Sequence, residues 1–127
     1  MRLFIGLEVP LHLKNHIHKF LLPMQVTGKG WENPHDYHQT LLFIGETPEN
    51  EVNKIIERLD ALEFHPFELK LSQFQFFNRR IMYLALHPSG DLIELKKTIN
   101  DAFPEWGQEE TKEFIPHITV KRWQRYE

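Results

Sequence analysis

An apolar strand, a helix and a second strand carrying a His-x-Thr triplet follow one another over residues 2–41, and the same order returns over residues 81–120. Such a recurrence is read as two related lobes meeting at a cleft. The triplets are His38-Gln39-Thr40, followed by Leu41, and His117-Ile118-Thr119, followed by Val120. In a strand, residues i and i+2 point to one face, about 6.5 Å apart. Each imidazole therefore has a hydroxyl beside it, while Gln39 and Leu41, or Ile118 and Val120, face the other way. One triplet alone is easily a satisfied His beside a strand-forming Thr. Two, in matching strands, are a signal.

At 127 residues the chain is expected to be a single domain, residues 1–127, with one core. A hydrophobic share of 41% and a charged share of 26% suit a soluble globular protein. The net charge of −3 argues against a general binder of duplex nucleic acid. Contacts with a nucleic-acid end would have to come from local basic residues: Arg79 and Arg80, Lys96 and Lys97, or Lys121, Arg122 and Arg125. Without cysteine there is no disulfide, no thiolate zinc site and no Cys nucleophile. The apolar opening, residues 3–9, is interrupted by Glu8 and followed by Pro10. It is too short for a membrane span and lacks a signal-peptide layout, so a cytoplasmic location is expected.

Periodicity predicts a strand over residues 2–8 and a helix over 11–22, with Leu11, Ile17, Phe20 and Leu21 turned to the core. Residues 27–36 read as a turn-rich loop, 37–45 as a strand, and 49–62 as a helix with Val52, Ile55, Ile56 and Leu59 on one side. Alternation predicts a half-buried strand over 67–77. Asn78-Arg79-Arg80 is a hairpin turn into a strand over 81–87. A third helix, roughly 91–103, points Leu92, Leu95 and Ile99 inward, and the last strand spans 114–123. The fold class expected is α+β, with antiparallel sheets and outer helices.

If the two His-x-Thr strands are neighbours, two imidazoles and two hydroxyls line one cavity. One His can take a proton from a nucleophile while the other protonates a leaving oxygen, each from an ordinary pKa near 6.5. Thr hydroxyls can donate to the non-bridging oxygens of a phosphodiester. His12 and His16 have metal-compatible spacing on the first helix, with His18 near, but no third ligand is placed by the sequence, and a solvated face is the better reading. His35 lies in the loop before His38, while His65 and His87 sit in turns. Glu109, Glu110 and Glu113 form a charge run of the kind usually solvated. No metal site is expected.

Residues 2–7 (Arg-Leu-Phe-Ile-Gly-Leu), 37–45 (Tyr-His-Gln-Thr-Leu-Leu-Phe-Ile-Gly) and 114–122 (Phe-Ile-Pro-His-Ile-Thr-Val-Lys-Arg) resemble the 2H phosphoesterase superfamily. Within it they are most similar to the bacterial and archaeal RNA 2′,3′-cyclic phosphodiesterases, long called 2′-5′ RNA ligases. The resemblance implies a bilobal fold around a central groove. It also implies cofactor-free, metal-independent hydrolysis of a 2′,3′-cyclic phosphate, on an RNA end or a nucleotide, to a 2′-phosphomonoester. Carried onto this chain, His38 is the acid toward the 3′ oxygen and His117 the base that activates water, although a two-fold arrangement lets the roles exchange. Thr40 and Thr119 would hold phosphate oxygens, Arg122 matches the family's arginine, and Phe4 or Phe76 would be candidates to stack on a base.

The chain departs from the pattern in two places. Ile115 stands where members usually carry arginine. Members commonly continue past the second motif, so a C-terminally shortened lobe is expected, with Trp123 and Tyr126 partly uncovered unless a second copy forms a homodimer over them. Other readings are a small cyclic nucleotide or ADP-ribose cyclic phosphate as substrate, an RNA-end binding module with little turnover, and 2′-5′ joining. Against joining that consumes ATP, no nucleotide-binding lysine motif or phosphate loop is visible.

Overall fold

Where apolar residues recur at helical or strand spacing, the chain forms the corresponding element, and its turns fall at Pro, Gly and Asn. The computed structural model describes residues 1–24, 29–107 and 114–123. The elements are β1 (Arg2–Glu8), α1 (Leu11–Leu21), β2 (His38–Glu46), α2 (Glu49–Asp60), β3 (Leu71–Phe77), β4 (Ile81–Leu86), α3 (Gly90–Ala102), α4 (Pro104–Gly107) and β5 (His117–Arg122). Among the described residues the strands make one sheet in the order β1-β2-β5-β4-β3. The β2–β5, β4–β5 and β3–β4 pairs are antiparallel. At the other edge the Thr47 N–H donates to the Met1 carbonyl, so the end of β2 lies by the start of β1. Several sheets were expected. One forms instead, because β5 pairs with β2 on one side and β4 on the other.

The chain packs as two units. The first comprises Met1–Gly6, Thr40–Leu69 and Pro88–Phe114. Its core includes Ile5, Leu41, Leu42, Ile55, Leu92, Leu95, Ile99 and Phe103. Helix α3 is capped by Ser89, whose hydroxyl accepts the Leu92 N–H and so satisfies one orphan donor. Arg58, near the end of α2, lies over the Phe103 ring and bonds the Glu105 carboxylate. Of the expected α2 stripe, Ile55 is buried, Val52 and Leu59 are half-buried, and Ile56 is exposed. After α3, Pro104–Gly107 closes a short turn of helix.

The second unit comprises Leu7–Gln39, Lys70–His87 and Ile115–Glu127. Val9, Ile17, Leu21, Tyr37, Leu84, Ile118 and Val120 fill its core. Lys14, Ile17 and Leu21 make the buried stripe of α1. Leu11 and Phe20 were expected there, yet both are exposed. Phe20 lies off that stripe and stacks on Phe74 of β3 at 5.6 Å, while Leu11, in the first turn, lines a surface cavity. Strand β3 begins at Leu71 rather than at residue 67, with a register irregularity between Leu71 and Phe74.

Asn78 and Arg79 both take positive φ, 48° and 58°, and the Arg80 N–H donates to the Phe77 carbonyl. This is the type I′ geometry that matches the twist of a hairpin. Part of the expected loop before β2 is extended: Trp31 bridges Lys121, with Glu32 N to Val120 O and Arg122 N to Gly30 O, both 2.9 Å. A Cβ on Gly30 would overlap the Arg122 carbonyl oxygen, and φ there is +89°, so only glycine fits. Thr27, Glu109, Glu110, Glu113, Arg125 and Tyr126 lie outside the described residues.

Candidate active site

His38 opens β2 and His117 opens β5. The Nδ1 of His38 lies 2.6 Å from the Asp36 carbonyl oxygen, and the Nδ1 of His117 lies 2.7 Å from that of Ile115. A carbonyl can only accept, so each Nδ1 carries the proton and donates it two residues back along its own chain. In the neutral ring that leaves the Nε2 lone pair to take a proton. Any residue type supplies a carbonyl, so Ile115 performs this task with its backbone.

Gln39 is opposite Ile118 in the β2–β5 pair. Stepping one residue along each antiparallel strand sets His38 opposite Thr119, at a side-chain spacing of about 5 Å. His117 lies two residues from Thr119 and shares its face. Behind them Gln39 and Ile118 are fully buried, and the Gln39 Oε1 accepts the backbone N–H of His117. Thr40 is half-buried two residues further along β2, on the His38 side of that strand, and is counted with the first unit.

Strict alternation would put Arg122 on the core side with Ile118 and Val120. A bulge prevents this. Met82 pairs with Lys121 but Tyr83 with Thr119, so one step on β4 spans two on β5. The extra residue shifts the phase of the strand, a bulge re-aiming the side chains beyond it. Val120 and Lys121 are consecutively buried, and Arg122 emerges exposed on the side of His117. There its Nε donates to Glu32 Oε1 at 3.0 Å.

His117 is flanked by rings. Phe77 and Tyr83 stack at 4.1 Å, and each meets the imidazole edge-on at 5.3 Å. The Tyr83 hydroxyl donates to Gln75 Oε1 at 3.1 Å. Burial pushes the His117 pKa below its ordinary value, the Ile115 carbonyl bond opposes this, and the charges of Arg122 and His38 add to the fall. The last influence places the two imidazoles within electrostatic reach. Sequence reading missed Phe77 and Tyr83. Both fall in strands expected from the sequence, but only the pairing of β4 with β3 and β5 brings them to His117. Phe76, considered for base stacking, points to the opposite face and packs on Trp123 at 5.9 Å.

Several basic candidates are otherwise engaged. Lys121 is buried between the Trp31 and Trp123 rings, at 4.7 and 4.5 Å from their centroids. Lys96 is buried, with its ammonium donating to the Leu41 carbonyl. Lys97, Arg79 and Arg80 are exposed. Among the described residues no three of His, Cys, Asp and Glu converge as a metal site, and no helix is long and apolar enough to cross a membrane.

The fold and its paired His-x-Thr strands define the two-histidine, or 2H, phosphoesterase class. The family model of the 2′-5′ RNA ligase superfamily matches residues 9–127, and the chain belongs to that family. It is 28% identical over 130 residues to the RNA 2′,3′-cyclic phosphodiesterase of Archaeoglobus fulgidus, covering 98% of this chain and 74% of that protein. With the protein of the same name from Bacillus subtilis the identity is 29% over 127 residues, covering 94% and 69%. Among solved structures, TT0787 of Thermus thermophilus superposes with a TM-score of 0.80 at 26% identity, covering 97% of this chain and 74% of that one. The Escherichia coli LigT structure complexed with 3′-AMP gives 0.78 at 21%, covering 99% and 75%, which speaks to the fold.

Proposed function

We propose that the protein is a metal-independent phosphodiesterase that opens 2′,3′-cyclic phosphates at RNA ends or on nucleotides, leaving a 2′-phosphomonoester. The observation that carries this reading is the matched pair of imidazoles, each with Nδ1 tied to the carbonyl two residues before it. In each ring proton transfer then falls to Nε2, in a chain whose relatives are named for this reaction. Water attacks phosphorus, its proton passes to one imidazole, and the P–O3′ bond breaks as the other imidazole protonates O3′.

His117 is the base. Its lowered pKa keeps it neutral near pH 7, the form able to accept a proton. His38 is then the acid. Thr119 donates to a non-bridging oxygen, and Arg122 adds positive charge beside it.

The test is incubation of the purified protein, in EDTA, with an oligoribonucleotide ending in a 2′,3′-cyclic phosphate. The expected product is the 2′-phosphomonoester, with rates lower by orders of magnitude in His38→Ala and His117→Ala. Tight binding without turnover would favour an RNA-end binding module, and turnover that needs added metal would sink the two-histidine mechanism.

A further inference from the structure

A second feature of the unit that carries His38 and His117 has the chemistry of an anion seat. A cavity of about 270 Å³ is lined by Leu11, Lys14, Asn15 and His18 of α1 and by Asn33, Pro34 and His35 ahead of β2. Among the described residues no carboxylate lines it. Lys14 is 6% exposed, so its ammonium has lost most of its water. It donates to the His35 carbonyl at 2.8 Å and lies 3.6 Å from Glu8, whose side chain is largely in solvent. An ammonium has three protons, and among the described residues the third has no partner. His18 makes no hydrogen bond among the described residues, and its Nδ1 is shut off from solvent. The ring can therefore turn toward an incoming oxygen without breaking a bond. A buried cation with an unfilled donor, whose carboxylate partner Glu8 is largely in solvent, together with an idle imidazole and two amides, suits an oxyanion.

The cavity is tied to His38 through one short turn. Pro34 and His35 line it, while the carbonyl of Asp36, the last residue of the same turn, holds His38 Nδ1. His35 and His38 are three residues apart, so their backbones lie within about 11 Å. We propose that the cavity seats a phosphodiester of the RNA strand upstream of the reacting end. This rests on the reading of the protein as a cyclic phosphodiesterase and adds to it a preference for strands over mononucleotides. The relatives' names speak of RNA but place no contact at this cavity. The preference follows from a cationic cavity placed beside the turn that orients the acid.

The experiment compares a nucleoside 2′,3′-cyclic phosphate, which has one phosphate, with a tetraribonucleotide ending in the same group. The wild type and Asn15→Asp, which sets a carboxylate in the exposed rim of the cavity, are assayed on both. The ratio of kcat/KM for the tetranucleotide to that for the mononucleotide should fall about fivefold in Asn15→Asp, through KM, and the fall should shrink at high salt. His18→Ala should lower the ratio in the same direction. An unchanged ratio in both variants overturns the seat.

If the wild type hydrolyses neither substrate, the proposed function fails, and the seat is judged by equilibrium binding of a 3′-phosphorylated tetranucleotide against a 3′-phosphorylated mononucleotide. Weaker binding of the tetranucleotide alone in Asn15→Asp supports the seat. Equal loss on both ligands, or none, rejects it.

Discussion

Gln39, fully buried in β2, accepts through Oε1 the backbone N–H of His117, the first residue of β5. One side chain thus fixes the two histidine-bearing strands against each other at the level of the site. Gln39→Leu leaves that N–H without a partner in a dry environment. A loss of about 1–3 kcal/mol in urea denaturation is expected, together with a fall in kcat. Gln39→Glu would add a buried charge beside the same N–H and should be less stable above pH 6 than below it. A wild-type melting curve in Gln39→Leu would show that the bond contributes nothing.

The protonation of His117 links stability to pH. Its folded pKa is lowered, so the unfolded chain binds the proton more readily. The stabilisation from this group is full above the ordinary His value near 6.5 and is lost as pH falls through the folded pKa. Denaturation midpoints measured from pH 7.5 to 5 should therefore decline, and less steeply in His117→Gln. Arg122→Ala removes one of the charges that depress the pKa, so the His117 ring should titrate at higher pH by NMR. A ring that titrates where free histidine does would contradict the assigned cause.

Tyr83 separates packing from hydrogen bonding at the site. Tyr83→Phe keeps the ring beside His117 and loses only the bond to Gln75, with an expected cost of about 0.5–1.5 kcal/mol and little change in the His117 titration. Tyr83→Ala opens a cavity, costs about 3–5 kcal/mol, and lets water to the imidazole, so the His117 pKa should rise toward its ordinary value. Thermal melts and NMR titration of both variants read the two effects independently.

The β3–β4 hairpin carries a removable strain. Arg79 holds φ at 58°, where a Cβ crowds the backbone and glycine does not. Arg79→Gly completes the Asn-Gly pair preferred by a type I′ turn and should stabilise the fold by about 1 kcal/mol. A destabilised variant would mean that the arginine side chain contributes more than its backbone strain costs.

Local chemistry wrote much of this protein into its sequence. Short apolar runs marked β1, β2 and β4, helical spacing turned Leu92, Leu95 and Ile99 inward, and Asn78-Arg79-Arg80 announced a hairpin. The two triplets, seen as a pair, also pointed to the family that the chain belongs to. Each of these is a property of a few consecutive residues. The tertiary structure alone decided that β5 would lie between β2 and β4 and join the strands into one sheet. It decided that Gln39 would hold His117, that Phe77 and Tyr83 would wall it, and that a bulge at Val120 would turn Arg122 outward and bury Lys121 between two tryptophans. Register depends on which strands meet, and a shift of one residue reverses every side chain beyond it, so no reading of one segment could fix those positions.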